Sequence, residues 1–344
     1  MSLVTAWFAL VVLCWVLFFA LEGFDFGVGM LGPLLGRNDH ERGAVVRTVG
    51  PVWDGNEVWL VAAIGVTFAA FPNWYAAMLS GLYLPMVLLL LLLAGRGVAL
   101  EFRGKGNGLR WRRRCDTALA ACSAGVVLVL GALLSVFARG LALRPDGEVV
   151  GQPGLLGGLE RTVRPVLGWP AAIGAGLALF AALLLGATFL GLRTTGPIRE
   201  RARRLSIALS GFGAATAGLG GGVLARFGAD SRAVPIAGLT AVVVVVLGFA
   251  AWAGREALAF GVALLAVAAA VVTVFSWHLA GAGSVVLPST LNPAWSLTMT
   301  GAAATSSALR LISYTGVVIL PGVIAYQTFS YWVFRHRVVS ERVA

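Results

Sequence analysis

Long apolar runs alternate with short, arginine-rich links along this chain of 344 residues. A helix needs about 20 apolar residues to cross the hydrocarbon core of a bilayer. Runs of that order occupy residues 3–32, 52–71, 75–95, 117–138, 168–191, 206–225, 234–253, 257–277 and 308–334. The pattern predicts an all-α polytopic membrane protein with about nine transmembrane helices, a single transmembrane domain over residues 1–344. The first run is long; it either tilts or continues past the membrane as far as Leu35. No basic stretch precedes it, no small-residue cleavage site ends it, and acids follow it directly. It reads as a retained helix rather than a signal peptide.

The links set the orientation. Gly36–Pro51, Arg96–Asp116, Arg193–Leu205, Gly254–Glu256 and the tail from Arg335 together carry 19 Lys and Arg. The alternate links and the N-terminus carry six, four of them in Arg139–Leu167 and two in Arg226–Ala233. Basic residues collect in cytoplasmic loops. The N-terminus is therefore expected outside and the C-terminus in the cytoplasm, with several passes through a bacterial plasma membrane.

Composition supports the membrane reading. The chain is 59% hydrophobic and 12% charged, with a mean hydropathy of +0.89. Soluble domains run about 45–50% apolar and about 25% charged. The net charge of +11 reflects membrane topology and lipid headgroup contact, so no nucleic-acid partner is expected. Lys105 is the sole lysine beside 25 arginines, as a GC-rich bacterial genome would encode.

Against that apolar background the acids stand out. A carboxylate in hydrocarbon costs roughly 2.5–3.5 kcal/mol on insertion scales. Glu22 and Asp25 sit near the inner end of the first run; Asp54 and Glu57 open the second. Each pair is three residues apart, a spacing that shares a helix face. Arg96 and Glu101 close the third run. Six ionisable groups from three consecutive helices are thus expected on the cytoplasmic half, and proton movement is the chemistry they suit. The ordinary alternative is capping of a helix start by acids, which suits its positive dipole end. Arg96 is either a counter-charge to these acids or a cytoplasmic anchor. Glu101 and Arg103 read as a local ion pair.

Other chemistry is sparse. Cys14, Cys115 and Cys122 form no CxxC and read as packing residues. His40, His278 and His336 are scattered over both sides, whereas a transmembrane haem needs axial ligands at matched depth. No P-loop, nucleophile elbow or HExxH occurs. The stretch Pro288-Ser289-Thr290, Ser296-Leu297-Thr298 and Thr305-Ser306-Ser307 reads as a capping-rich external loop. Trp53 and Trp59 flank Asp54 and are placed to pack a polar site.

Gly23-Phe24-Asp25-Phe26-Gly27, Gly36-Arg37-Asn38-Asp39 and Trp53-Asp54-Gly55-Asn56-Glu57-Val58-Trp59 resemble subunit II of cytochrome bd quinol oxidase. The likeness continues through Phe68–Pro72, Tyr75–Ala77 and Arg96–Arg103, and returns in the hydroxyl-rich stretch from Pro288. It covers essentially the whole chain and is most specific in the first hundred residues.

That resemblance implies a haem-free subunit of two four-helix bundles plus one peripheral helix. It implies no cofactor in this chain; two haems b, haem d and the quinol-oxidising loop belong to a partner, subunit I. The complex oxidises quinol and reduces dioxygen to water with cytoplasmic protons, without pumping. A small accessory subunit, a structural quinone and membrane lipids are compatible with the family. Asp25 and Asp54 match its acids, with Asp54 on a polar proton route toward the haems. Arg96 and Glu101 match its charged positions after the third helix. Glu22 occupies a place where the pattern admits Asp, and Glu keeps the acid with a longer reach. The expected function is to scaffold subunit I and conduct cytoplasmic protons through Asp54, Asp25 and neighbours. The rivals are a stand-alone proton-coupled transporter, whose mark would be interrupted helices in two halves, and a pure assembly scaffold.

Overall fold

The computed structural model describes residues 2–106, 108–151, 154–226, 232–279 and 283–339. Helix α1 runs Leu3–Leu35, with one π-helical turn at Phe18–Glu22. Short α2 (Asp39–Val49) leads to α3 (Trp53–Ala70), α4 (Pro72–Gly81), α5 (Tyr83–Phe102) and α6 (Leu109–Arg139). Amphipathic α7 (Leu155–Val163) precedes α8 (Trp169–Arg193), α9 (Gly196–Arg226), α10 (Ala233–Trp252) and α11 (Glu256–Ser276). A small antiparallel pair, β1 (Val285–Leu287) and β2 (Leu297–Thr298), then α12 (Met299–Ala302), leads into α13 (Ser306–Val333).

Among the described residues, eight helices are long and apolar enough to cross a membrane: α1, α5, α6, α8 to α11 and α13. The ninth expected span is α3. Asp54, Asn56 and Glu57 in its first turns lower its hydropathy below that of the others. The fold is all-α and polytopic, as expected.

The third span differs from expectation. Residues 75–95 do not form one helix; α4 and α5 meet at Leu82, whose backbone is non-helical at φ −131° and ψ 23°. Pro85 explains the break. A proline inside a helix lacks an N–H and clashes with the carbonyl four residues earlier, here Gly81. In the first turn of α5 neither matters. The spans expected from 117 and 206 also begin earlier, at Leu109 and Gly196. Arg and Leu are strong helix formers, so those helices run through their basic approaches. The middle of the link expected over 226–233 and the end of the basic tail lie outside the described residues.

Helices α1, α3, α5 and α6 pack as one group and α8 to α11 as a second, while α13 leans on α3 and the first half of α1. The two groups touch along α6 and α8, and again where α1 crosses α8. There Gly27 and Gly186 bring backbones together: a Cβ on Gly27 would stand 2.0 Å from the Ala182 carbonyl oxygen. Small residues permit such crossings in membranes. This contact holds the acid-bearing stretch of α1 in the middle of the molecule.

The links sort into two ends. At one, Arg201 pairs with Glu41, Arg103 pairs with Asp39, and Val338 N donates to the Arg193 carbonyl, 2.8 Å. At the other, Leu141 N donates to the Pro288 carbonyl and Ala304 N to the Ala70 carbonyl. The arginine-rich links share the first end, which is the grouping the charge count requires.

Candidate functional site

Four ionisable side chains from three helices meet inside the first group. Glu22 ends the π-turn of α1, Asp25 follows one turn on, Glu57 lies in the second turn of α3, and Arg96 comes from α5. Glu22 and Arg96 are fully buried and Asp25 is 1% exposed. Arg96 Nη1 contacts Glu22 Oε1 and lies 3.5 Å from Glu57 Oε2. Its guanidinium also sits 4.8 Å from the Phe26 ring centre and 5.8 Å from that of Trp53. Arg96 is thus a counter-charge rather than a surface anchor, and Trp53 packs the site as expected. π-turns widen a helix locally and recur at functional sites; this one carries Glu22 at its last position.

Asp25 is held differently. Asn56 Nδ2 donates to Asp25 Oδ2, 2.7 Å. Asn56 Oδ1 in turn accepts from Gln327 Nε2 and from Tyr331 Oη, both 2.8 Å. This amide therefore bridges Asp25 to the peripheral helix α13. Asn56, Gln327 and Tyr331 were not singled out by their sequence positions.

Two expected members stand apart. Asp54 is exposed on the flank of α3. A helix start points successive residues in different directions, and here Asn56 and Glu57 take the inward ones. Glu101 is also outside the cluster. It pairs with Lys105 at 3.1 Å, and both side chains are more than half exposed. The expected Glu101–Arg103 pair is corrected: Arg103 turns inward, donating from Nε to Asp116 Oδ1 (2.6 Å) and from Nη2 to Asp39 Oδ1 (2.9 Å).

A second ionic network clamps the basic end. Asp39 also accepts from Arg112, 2.6 Å. Glu41 accepts from Arg201 at 2.8 and 3.0 Å and from the Arg37 amide at 2.7 Å. Burial pushes the Asp39 carboxyl up, but Arg112 and Arg103 outweigh it and hold the group below the ordinary carboxylate range. The Arg201 hydrogen bonds do the same for Glu41.

No group of three or more His, Cys, Asp and Glu among the described residues could hold a metal ion. His278 Nε2 hydrogen-bonds the Ala138 carbonyl, and the three cysteines are free. The hydroxyl-rich loop does cap helices. Thr298 accepts from the Gly301 amide and Thr305 from the Ala308 amide.

Comparison with known proteins places this geometry. A family model described as cytochrome bd terminal oxidase subunit II matches residues 3–334. Cytochrome bd ubiquinol oxidase subunit 2 of Bacillus subtilis is 35% identical over 343 residues, covering 98% of this chain and 97% of that protein. Cytochrome bd-I ubiquinol oxidase subunit 2 of Escherichia coli K12 is 29% identical over 381 aligned residues, covering 98% and 95%. The solved bd oxidase from Geobacillus thermodenitrificans shares the fold at a TM-score of 0.68 and 18% identity, over 97% of this chain and 99% of the matched one. The chain belongs to the cytochrome bd terminal oxidase subunit II family.

Proposed function

We propose that this chain scaffolds a haem-bearing subunit I and passes it protons taken from the cytoplasm. Family membership makes the chain a subunit of an oxidoreductase complex. In this reading the partner holds two haems b, haem d and the quinol site, and the complex separates charge without pumping. The N-terminus faces outward and the C-terminus the cytoplasm.

One observation carries the proton role. Among the described residues Arg96 is the one cation paired with Glu22 and with Glu57, and the buried Asp25 beside them is held by the Asn56 amide instead. Burying uncompensated charge costs several kcal/mol per ion. If all three acids ionise, two negative charges remain unmatched, and protons are the cheapest counter-charge. A buried group that gains and loses protons in place is what a proton relay needs. Asp54 lies on the exposed flank of the same helix turn. It suits the contact with the partner and the hand-over of protons to it.

The test is Glu22→Gln and Asp25→Asn, singly, in the assembled complex. Haem content and quinol-driven oxygen uptake are measured together. Haem content should stay near wild type while turnover falls at least about a hundredfold, the low end of the roughly 10²–10⁴ that positioned proton transfer contributes. Full turnover in both variants would leave the chain a scaffold. Asp54→Asn should also slow turnover; normal uptake with normal haem would remove Asp54 from the route.

A further inference from the structure

Several arginines at the basic end pair closely with carboxylates, but one group is poorly matched. A cavity of about 330 Å³ opens among the end of α8, the end of α13 and the tail that follows. Arg193, Arg335 and Arg337 line it, beside Tyr331; among the described residues no carboxylate does. Arg193 Nη2 donates to the Phe334 carbonyl, while its Nε is buried with no hydrogen-bond partner. Arg335 Nη1 donates to the Trp332 carbonyl, 2.6 Å. Arg337 reaches Glu256 only at 3.9 Å. That carboxylate already accepts from Arg199 at 2.9 and 2.5 Å.

Three guanidinium groups therefore share one cavity, and among the described residues their company is carbonyl oxygens, two aromatic rings and one distant, occupied carboxylate. Their mutual repulsion is unfavourable, and a buried donor left unpaired has given up its hydrogen bond to water for nothing. The tail is held over the cavity by the hydrogen bond from Val338 N to the Arg193 carbonyl. An anion with several acceptor oxygens answers both deficits.

We infer that this cavity binds a phosphate group through Arg193, Arg335 and Arg337. The guanidinium fork matches phosphate oxygens in pairs. Exposed Phe334 lines the cavity and exposed Trp332 carries the Arg335 guanidinium over its ring, and aromatic side chains of this kind settle at membrane interfaces. They favour the phosphate of an anionic phospholipid headgroup over free phosphate. The inference is independent of the proton route.

The test uses the whole oxidase complex, delipidated in detergent. It is titrated separately with short-chain phosphatidylglycerol and with inorganic phosphate, and binding is read by native mass spectrometry. The tightest phosphatidylglycerol site should weaken at least about tenfold in the combined variant Arg193→Gln, Arg335→Gln, Arg337→Gln, as loss of charge-assisted, bidentate contacts implies. It should be unchanged in Arg110→Gln, Arg113→Gln, Arg114→Gln, which removes equal charge elsewhere at the same end. Arg335→Lys keeps the charge without the fork and should weaken binding less than Arg335→Gln. Displacement of the lipid by inorganic phosphate would assign the site to the free anion; resistance to displacement assigns it to the headgroup. Equal binding of both ligands by wild type and the triple glutamine variant overturns the site.

Discussion

Among the described residues Glu22 and Glu57 share Arg96 and Asp25 beside them has only the Asn56 amide, whereas Asp39, Glu41 and Asp116 draw on Arg42, Arg103, Arg112 and Arg201. Both regions are ionic, and both tie distant parts of the chain together. They differ in arithmetic and in depth. At the basic end each of these three carboxylates has a cation, Asp39 and Asp116 have two, and the edges of the network are exposed. In the first helix group the acids outnumber the cation and Glu22 and Arg96 have no exposure. A matched network gains little from a proton and works as a clamp. An undermatched one changes its charge balance with each proton it takes, and that makes it a site.

Arg96 is where the contrast should break most visibly. Arg96→Met leaves Glu22 buried without its cation, and breaking a buried pair in this way costs about 3–5 kcal/mol. The assembled complex should lose thermal stability and haem. Replacing both partners, Arg96→Met with Glu22→Met, should recover most of the stability, because apolar packing often substitutes for a buried pair. Unfolding midpoints of the two variants decide it. A single variant as stable as wild type would mean that Glu22 is already neutral beside Arg96, and the pairing would lose its place in the comparison.

The clamp should answer to acid. Asp39 and Glu41 hold their carboxyls below the ordinary range in the folded chain. Their contribution is therefore complete above the unfolded values of about 4 and is lost as pH falls through the lowered, folded ones. Thermal midpoints of the complex should drop as buffer pH falls below about 4. Glu41→Gln should lower the midpoint at neutral pH and flatten that acid limb. An acid limb of unchanged steepness in Glu41→Gln would show that this network is not what acid dissolves.

Gln327→Leu probes the join between the site and the peripheral helix. Asn56 keeps its bond from Tyr331, so the loss is one hydrogen bond of two, about 0.5–1.5 kcal/mol. Hydrogen exchange of α13 amides should quicken while haem content holds. Unchanged exchange would show that Tyr331 alone secures the helix.

Legibility in the sequence followed charge. Asp25, Glu22 and Arg96 were readable because an ionised group in an apolar run is conspicuous, and residue number alone put them on one half of the molecule. The spans were readable for the same reason, except where Pro85 divided a run that hydropathy left whole. Asn56, Gln327 and Tyr331 carry no charge. Gln327 and Asn56 are also 271 positions apart, a distance no local pattern crosses. The π-turn at Phe18–Glu22 has no sequence mark that separates it from ordinary helix. Asp54 and Glu101 share that half of the molecule yet lie outside the buried cluster, because spacing fixes neighbours along a helix, not the side of the helix that packing turns inward.

Glu101 gives the smallest expected effect and the sharpest control. It lies one turn and a half beyond Arg96 on the same helix, yet its partner is Lys105 and both side chains are open to water. Exposed pairs contribute about 0.2–1 kcal/mol, and many contribute nothing measurable. Glu101→Ala should therefore shift the unfolding midpoint barely or not at all, and oxygen uptake should match wild type at every pH tested. If uptake falls instead, Glu101 acts outside the buried cluster, at the surface from which protons enter. The division between a buried, undermatched site and a solvated, matched surround would then have to be redrawn to include it.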